Sequence, residues 1–266
     1  MDYLESILLG IVQGLTEFLP ISSSGHLEIS KVILGNTLSN KESLLFIIVL
    51  HSATAFSTMF YFRKDLLEIF SGLLNKNYNK SHNFSLLIII SMIPAVLIGL
   101  FFEDKINSLF DGNLILVGCM LYITSILLFT SDFLKLKQKE INFKNSFLIG
   151  LAQAIAILPG ISRSGATIAS AIIIGIEREK AARFSFIMVI PIIFGSMIKS
   201  LLDYGVGFEN FDLISLLLGF ISAFITGLFA CKWMILLVKK SKLYFFSIYC
   251  LIVGSIIIFY SLYNGL

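Results

Sequence analysis

Two short segments of the chain carry the residue types that could do chemistry. The first is Gln13-Gly-Leu-Thr-Glu17-Phe-Leu-Pro-Ile-Ser22-Ser23-Ser24-Gly25-His26. Gln13 and Glu17 are four apart, so a helix places both on one face. A carboxylate and an amide carbonyl can hold a hard cation such as Mg2+ or Ca2+, with water and a substrate phosphate completing the shell. The same pair can equally brace the serine loop by hydrogen bonds, and the residue types leave both roles open. Ser23 and His26 are three apart and share a face if the chain is helical after Pro20. An imidazole so placed can take the serine proton, the minimum for an activated hydroxyl nucleophile. Ser22 and Ser24 flank it as further hydroxyls for substrate.

The second segment is Pro159-Gly160-Ile161-Ser162-Arg163-Ser164-Gly165-Ala166-Thr167. Gly160 and Gly165 let the backbone come close to a ligand, and Ser162, Ser164 and Thr167 add hydroxyls. The opening turn of a following helix would present free N–H groups to an anion. Arg163 in that turn supplies a planar fork suited to phosphate oxygens. The competing reading sets the arginine against helix-end carbonyls or lets it snorkel to the interface. Of the other polar residues, His51 could support the site residues from behind or make a helix-packing hydrogen bond, Arg183 is expected to set topology and His82 to be solvated. With Glu28 and Lys199, they are left outside the chemistry.

The elements that must position these residues follow from composition. Apolar residues make up 57 % of the 266-residue chain and charged residues 14 %, against roughly 25 % charged in a soluble domain. Too few charges exist to cover a soluble globule, and there is too much apolar surface for disorder. The class expected is a polytopic, all-α integral membrane protein. Net charge is +3, which gives no support to a nucleic-acid partner. Three cysteines without ligand spacing argue against a disulfide framework or a zinc site. The opening Met-Asp-Tyr-Leu-Glu lacks a signal peptide's basic stretch and is read as part of the fold.

Six apolar runs are long enough to span a bilayer: Leu44–Phe62, Phe84–Phe102, Leu114–Thr130, Phe184–Leu202, Leu213–Cys231 and Leu243–Tyr263. Four shorter ones, Tyr3–Leu19, Leu27–Leu34, Phe147–Leu158 and Ala166–Ile176, form two pairs, each hinged on one of the polar segments. Broken apolar pairs of this kind are expected to re-enter the membrane as helix-loop-helix hairpins. The chain also aligns to itself. Gly10-Ile-Val-Gln13 matches Gly150-Leu-Ala-Gln153, and Leu19–Gly25 matches Leu158–Gly165. Ile93–Phe101 then matches Ile221–Phe229, and Ser125–Ser131 matches Ser255–Ser261. Each half holds one hairpin and three spans, so an odd number of crossings makes the second half an inverted repeat. The expected division is a first repeat at 1–131 with its hairpin at 3–34, a cytoplasmic linker at 132–146, and a second repeat at 147–266 with its hairpin at 147–176.

Charge placement gives an orientation. Fifteen Lys and Arg lie in Arg63–Asn83, Asp132–Ser146, Ile176–Arg183 and Lys232–Lys242, against two, Lys41 and Lys105, in the alternate loops. Positive-inside bias then puts both termini outside and the basic loops in the cytoplasm, with Trp233 an anchor at the inner surface. The first hinge dips in from outside and the second from the cytoplasm, to meet near the midplane.

The two motifs, in this order, resemble those of the undecaprenyl-pyrophosphate phosphatases, also called bacitracin-resistance proteins, and the similarity extends over essentially the whole chain. That resemblance implies hydrolysis of a long-chain polyprenyl pyrophosphate to the monophosphate carrier of cell-wall synthesis, in a prokaryotic plasma membrane, with the site open to the outer face. It implies Ser23 as nucleophile, His26 as its activator or as proton donor to the leaving group, and Arg163 as phosphate clamp with Ser162, Ser164 and Thr167 around it. Glu17 and position 13 look like the family's acidic pair, associated with a divalent cation; the family allows Glu or Gln at 13, and this chain has Gln. A homodimer is an assembly left open. Serine and water remain alternative nucleophiles, and a transporter of the polyprenyl phosphate is the rival reading, since inverted repeats with broken helices also build transporters.

Overall fold

The computed structural model describes residues 2–34, 40–102, 105–106, 109, 113–134, 139–204, 212–240 and 242–264. The loop expectations at Gly35–Glu42, Glu103–Asn113 and Asp203–Asp212, and the middle of the 132–146 linker, lie wholly or partly outside the described residues. Among those residues the chain forms eleven helices and no strand: α1 (Tyr3–Phe18), α2 (Ser23–Leu34), α3 (Asn40–Tyr61), α4 (Arg63–Leu73), α5 (Lys80–Phe101), α6 (Leu114–Phe133), α7 (Phe143–Ile155), α8 (Arg163–Ile174), α9 (Arg178–Tyr204), α10 (Leu213–Lys239) and α11 (Leu243–Asn264).

Short polar side chains start these helices where the apolar pattern begins. Asp2 and Glu5 make a reciprocal capping box on α1, and the side chains of Asn79, Asn113, Asn142, Ser162 and Asp212 accept N–H bonds from the first turns of α5, α6, α7, α8 and α10. Helix α8 ends at Gly175, left-handed at φ 106°, which returns its N–H to Ala171 and Ile172.

Five helices (α5, α6, α9, α10, α11) are long and apolar enough to cross a membrane, and α3 with α4 makes a sixth candidate bent by 76°. The expected run at 44–62 ends where α3 ends, and beyond Phe62 the chain continues as α4 at a steep angle. The spans keep much of their apolar surface on the outside, with Phe101, Phe229, Phe259 and Leu262 all at least two-thirds exposed. Surface of that kind is stable only against lipid. This is a multi-pass all-α membrane protein.

Helices pack through small residues, as expected where lipid supplies no hydrophobic drive between them. Gly10 and Gly14 on α1 lie against the backbone of Gly219 and Ala223 on α10, Gly150 on α7 lies against Ser91 on α5, and Gly118 on α6 meets Gly254 on α11 reciprocally. The main core is aromatic and aliphatic: Phe18, Phe184, Phe186, Leu121, Leu128, Ile149, Ile168 and Met188 are fully buried. Phe18, at the end of α1, meets Phe186 of α9 edge-to-face at 5.6 Å, which ties the first hinge to the second half. At one end of the bundle the Arg178 guanidinium pairs with Asp132 at 2.6 Å, both side chains buried, and the other Asp132 oxygen accepts the Tyr244 N–H at 2.8 Å. That pair fastens α6, α9 and α11 together.

Candidate active site

The two polar segments form matching loops. After α1, Leu19 is extended and Ser22 adopts φ 72°, a left-handed conformation that costs an L-residue with a side chain about 1–2 kcal/mol. Its groups hold it there. The Ser22 hydroxyl accepts the Gly25 N–H at 3.2 Å, and its carbonyl accepts the His26 N–H at 3.1 Å, which launches α2. In the second loop Gly160 has φ 96°, and the Ser162 hydroxyl caps α8 by accepting the Gly165 N–H at 3.1 Å. The Thr124 hydroxyl of α6 accepts the Ser162 N–H at 3.1 Å.

The loops touch. A Cβ on Gly165 would lie a tight 3.1 Å from Pro20, and one on Gly25 would lie in ordinary contact with Gly160 at 3.4 Å, so the two loops pack directly on each other. The Ser164 hydroxyl donates to the Leu19 carbonyl at 3.3 Å.

Where the loops meet, one carboxylate collects the polar groups. Glu17, in the last turn of α1, is 8 % exposed. Its Oε1 pairs with Arg163. Its Oε2 accepts the Ser23 hydroxyl at 2.8 Å and the Gln13 amide at 3.0 Å. Ser23 and Arg163 occupy matching positions in the self-alignment, so the two loops present their central residue to the two oxygens of one group. The Gln13 amide nitrogen also lies 2.8 Å from His51 Nδ1. An amide nitrogen only donates, so Nδ1 accepts and His51 carries its proton on Nε2.

His26 goes elsewhere. Its Nδ1 is 2.8 Å from the Ser22 carbonyl, and a carbonyl only accepts, so Nδ1 holds the proton. Nε2 is left with its lone pair, 2.8 Å from the Tyr249 hydroxyl of α11. The spacing of three predicts a Ser23–His26 hydrogen bond; the described geometry gives Ser23 to Glu17 and His26 to Ser22 and Tyr249. The cause is the left-handed turn at Ser22, which starts α2 with its carbonyl already facing the imidazole.

Most of the expected substrate hydroxyls are engaged with protein. Ser22 and Ser24 lie 3.3 Å apart, as do Ser162 and Ser164, and Thr167 meets Ser185 at 2.6 Å. These residues with Gly160 and Gly165 build the loops. Two buried polar atoms at the centre have no protein partner among the described residues: Arg163 Nη1 and Gln13 Oε1. The first is a guanidinium donor on the residue that pairs with Glu17, the second the carbonyl oxygen of the amide that donates to Glu17. No three His, Cys, Asp or Glu side chains gather among the described residues. Gln13 Oε1 and Glu17 fit the smaller part that a hard cation takes from protein when phosphate and water supply the rest.

The arrangement thus gathers a nucleophile candidate and a guanidinium with one unpartnered nitrogen on a single carboxylate, with the His26 imidazole one turn along α2. The description "Bacitracin resistance protein BacA" belongs to the family whose model matches residues 6–256. The chain belongs to the BacA family. Similar full-length relatives carry the name undecaprenyl-diphosphatase. That of Christiangramia forsetii is 56 % identical over 254 residues, covering 96 % of each chain. One from Bacteroides fragilis is 47 % identical over 266 residues, covering 97 % of this chain and 98 % of its own. The protein of Methanobrevibacter smithii is 38 % identical over 273 residues, covering 97 % of both.

Within this BacA-family chain, His51 makes the helix-packing hydrogen bond expected of it as one of two roles, with Gln13 as its partner, whereas Tyr249 was not anticipated. His51 touches Gln13 from α3, and a histidine inside an apolar run is itself a sign that a polar partner lies near. Tyr249 carried no such sign, since it stands among other aromatics in the last helix, 223 positions from His26.

Proposed function

We propose that the protein is an undecaprenyl-diphosphatase, which hydrolyses undecaprenyl pyrophosphate to undecaprenyl phosphate and inorganic phosphate and so recycles the lipid carrier of cell-wall polymers. The observation that carries this reading is the convergence of Ser23 and Arg163 on Glu17 with an Arg163 donor left over. Pyrophosphate cleavage is mostly positioning and charge stabilisation. Arg163 and the first N–H groups of α2 and α8 take the phosphate oxygens. Ser23 Oγ attacks the terminal phosphorus and passes its proton to Glu17. The bond from phosphorus to the bridging oxygen breaks, and that oxygen leaves with undecaprenyl phosphate. Water then attacks the phosphoserine with His26 Nε2 as its base, restoring Ser23 and releasing phosphate. A divalent cation held by Gln13 Oε1 and Glu17 would offset the pyrophosphate charge.

Direct attack by water is a second route, favoured by the lone pair that Tyr249 keeps in place on His26. The inverted repeat is also part of the proposal. Its support is the mirrored packing of Gly10 on Gly219 and Gly150 on Ser91, positions that correspond in the self-alignment. The same symmetry favours movement of the carrier lipid across the membrane as a further reading. We place both termini outside a prokaryotic plasma membrane, with α1–α2 and α7–α8 as re-entrant hairpins and the cleft open to the outer face; the alternation of basic loops supports this.

The test is phosphate release from undecaprenyl pyrophosphate by purified protein, with Ser23→Ala, His26→Ala and Arg163→Ala alongside. Loss in all three supports the serine route, and release retained in Ser23→Ala alone moves the attack to water. No release from folded, lipid-binding wild type leaves transport as the better account.

A further inference from the structure

Far from the catalytic cleft, the break between α3 and α4 opens a cavity of about 350 Å3 lined by Tyr61, Arg63, Lys64, Asp65, Glu179 and Arg183, among others. Tyr61 stands ten residues beyond His51, about 15 Å along the helix. The acidic side chains here are already engaged. Asp65 pairs with Arg183 at 2.6 Å, and Glu179 pairs with Lys239 at 2.8 Å. Arg63 and Lys64 have no acidic partner among the described residues, so the notch keeps an excess of positive charge. Arg63 is held in place, donating to the Phe60 carbonyl at 3.0 Å with its guanidinium 4.8 Å from the Phe60 ring centre.

Phe60 also lines a second feature, an open apolar groove of about 510 Å3 with Phe56, Met59, Phe220 and Phe224. The groove is built by rings that cross from α3 to α10: Phe56 meets Phe220 at 6.1 Å and Phe60 meets Phe224 at 6.3 Å. Arg63 therefore joins a cationic notch to the end of an apolar channel. Beside them α4 presents Leu67, Phe70 and Leu74, each more than 60 % exposed, while Leu66 and Ile69 pack on the core. An amphipathic helix leaving a span at a steep angle, with large apolar side chains uncovered, lies at the boundary between headgroups and acyl chains.

We propose that this notch and groove bind an anionic phospholipid of the inner leaflet, its phosphate on Arg63 and Lys64 and one acyl chain along the Phe56–Phe224 groove. The inference uses the orientation proposed above, with this end of the bundle in the cytoplasm, and is independent of the phosphatase reading. A zwitterionic lipid fits the groove as well but meets the excess charge with its own cation, so charge complementarity selects the anionic class.

The experiment is native mass spectrometry of the full-length protein released from bilayers of equal phosphatidylglycerol and phosphatidylcholine. Wild type is expected to retain phosphatidylglycerol in clear excess. The double variant Arg63→Gln/Lys64→Gln should lose about thirtyfold of that preference, given roughly 1 kcal/mol for each basic residue near the surface. Lys144→Gln, an exposed lysine on the same charged side, should keep it. Phe60→Ser should shorten retention of both lipids. Phosphate release in the double variant is expected at the wild-type level, which confirms an intact fold. If the phosphatase reading fails, far-ultraviolet circular dichroism and the melting temperature make the same check. Equal retention of the two lipids by wild type, an equal loss in Lys144→Gln, or displacement of the lipid by millimolar inorganic phosphate alone would overturn the proposal.

Discussion

The hydroxyl of Tyr249 lies 2.8 Å from Nε2 of His26, while the opposite ring nitrogen is fixed by the Ser22 carbonyl at 2.8 Å. The two contacts choose one tautomer and aim it, so Tyr249 acts as a positioning residue working through His26. Tyr249→Phe removes one neutral hydrogen bond of about 1 kcal/mol. We expect kcat to fall about fivefold with KM within twofold of wild type and the melting temperature unchanged. A parallel loss in melting temperature would make the contact merely structural.

Arg163, partly buried, pairs with the buried Glu17 between the two halves. Arg163→Ala leaves the Glu17 carboxylate unpaired, which in a buried setting costs about 3–5 kcal/mol. Thermal unfolding in detergent should show a marked drop for this variant, and adding Glu17→Gln should restore most of it without restoring phosphate release. Recovery of both would separate the pair from the chemistry.

Gln13 is the amide member of the proposed cation set. EDTA is expected to abolish phosphate release, and Mg2+ or Ca2+ to return it. Gln13→Glu adds a formal charge beside Glu17, so the cation concentration giving half-maximal rate should fall. A rate indifferent to chelation would leave the Gln13–Glu17 contact as a brace for Ser23.

Gly150 is pressed on the Ser91 backbone, whereas Gly99 on α5 has nothing within 4 Å of an added Cβ. Gly150→Ala forces α7 off α5 and should destabilise by about 1–3 kcal/mol. Gly99→Ala should be neutral or slightly stabilising, because alanine favours a helix more than glycine does. Unfolding midpoints of the two variants in the same detergent decide it.

The membrane class, the six apolar runs and the two polar hinges were legible because they rest on composition and on spacing along one helix. Charge alternation and the broken helices lead to the expectation that the two hinges meet; that they meet at Glu17 was not legible, because its residue type and spacing point only to a cation ligand or a brace for its own loop. Nor were the partners of individual side chains. Helical spacing put Ser23 near His26 but carried no information on the turn at Ser22, and that turn decided which of them faces Glu17. The bend at Phe62 was hidden too, since Tyr61-Phe62-Arg63 reads as an ordinary span end. His51 announced a polar partner by standing in an apolar run but not which one, and Tyr249 reaches His26 from α11 by tertiary packing that no local pattern records.

The Glu17–Arg163 pair also bears on how the chain is made. One charge belongs to the first half and its partner emerges from the ribosome 146 residues later. Until α8 is in place, α1 holds a lone carboxylate in an apolar setting, at a cost of at least about 2.5 kcal/mol if it lies at the bilayer centre. The early intermediate is therefore poised to leave the lipid or to capture a guanidinium. The second half, inserted alone, has the reciprocal defect. Cut at the 132–146 connection and produced together, the halves would each carry the counter-charge that the other lacks, and we expect them to pair through that contact and to co-purify.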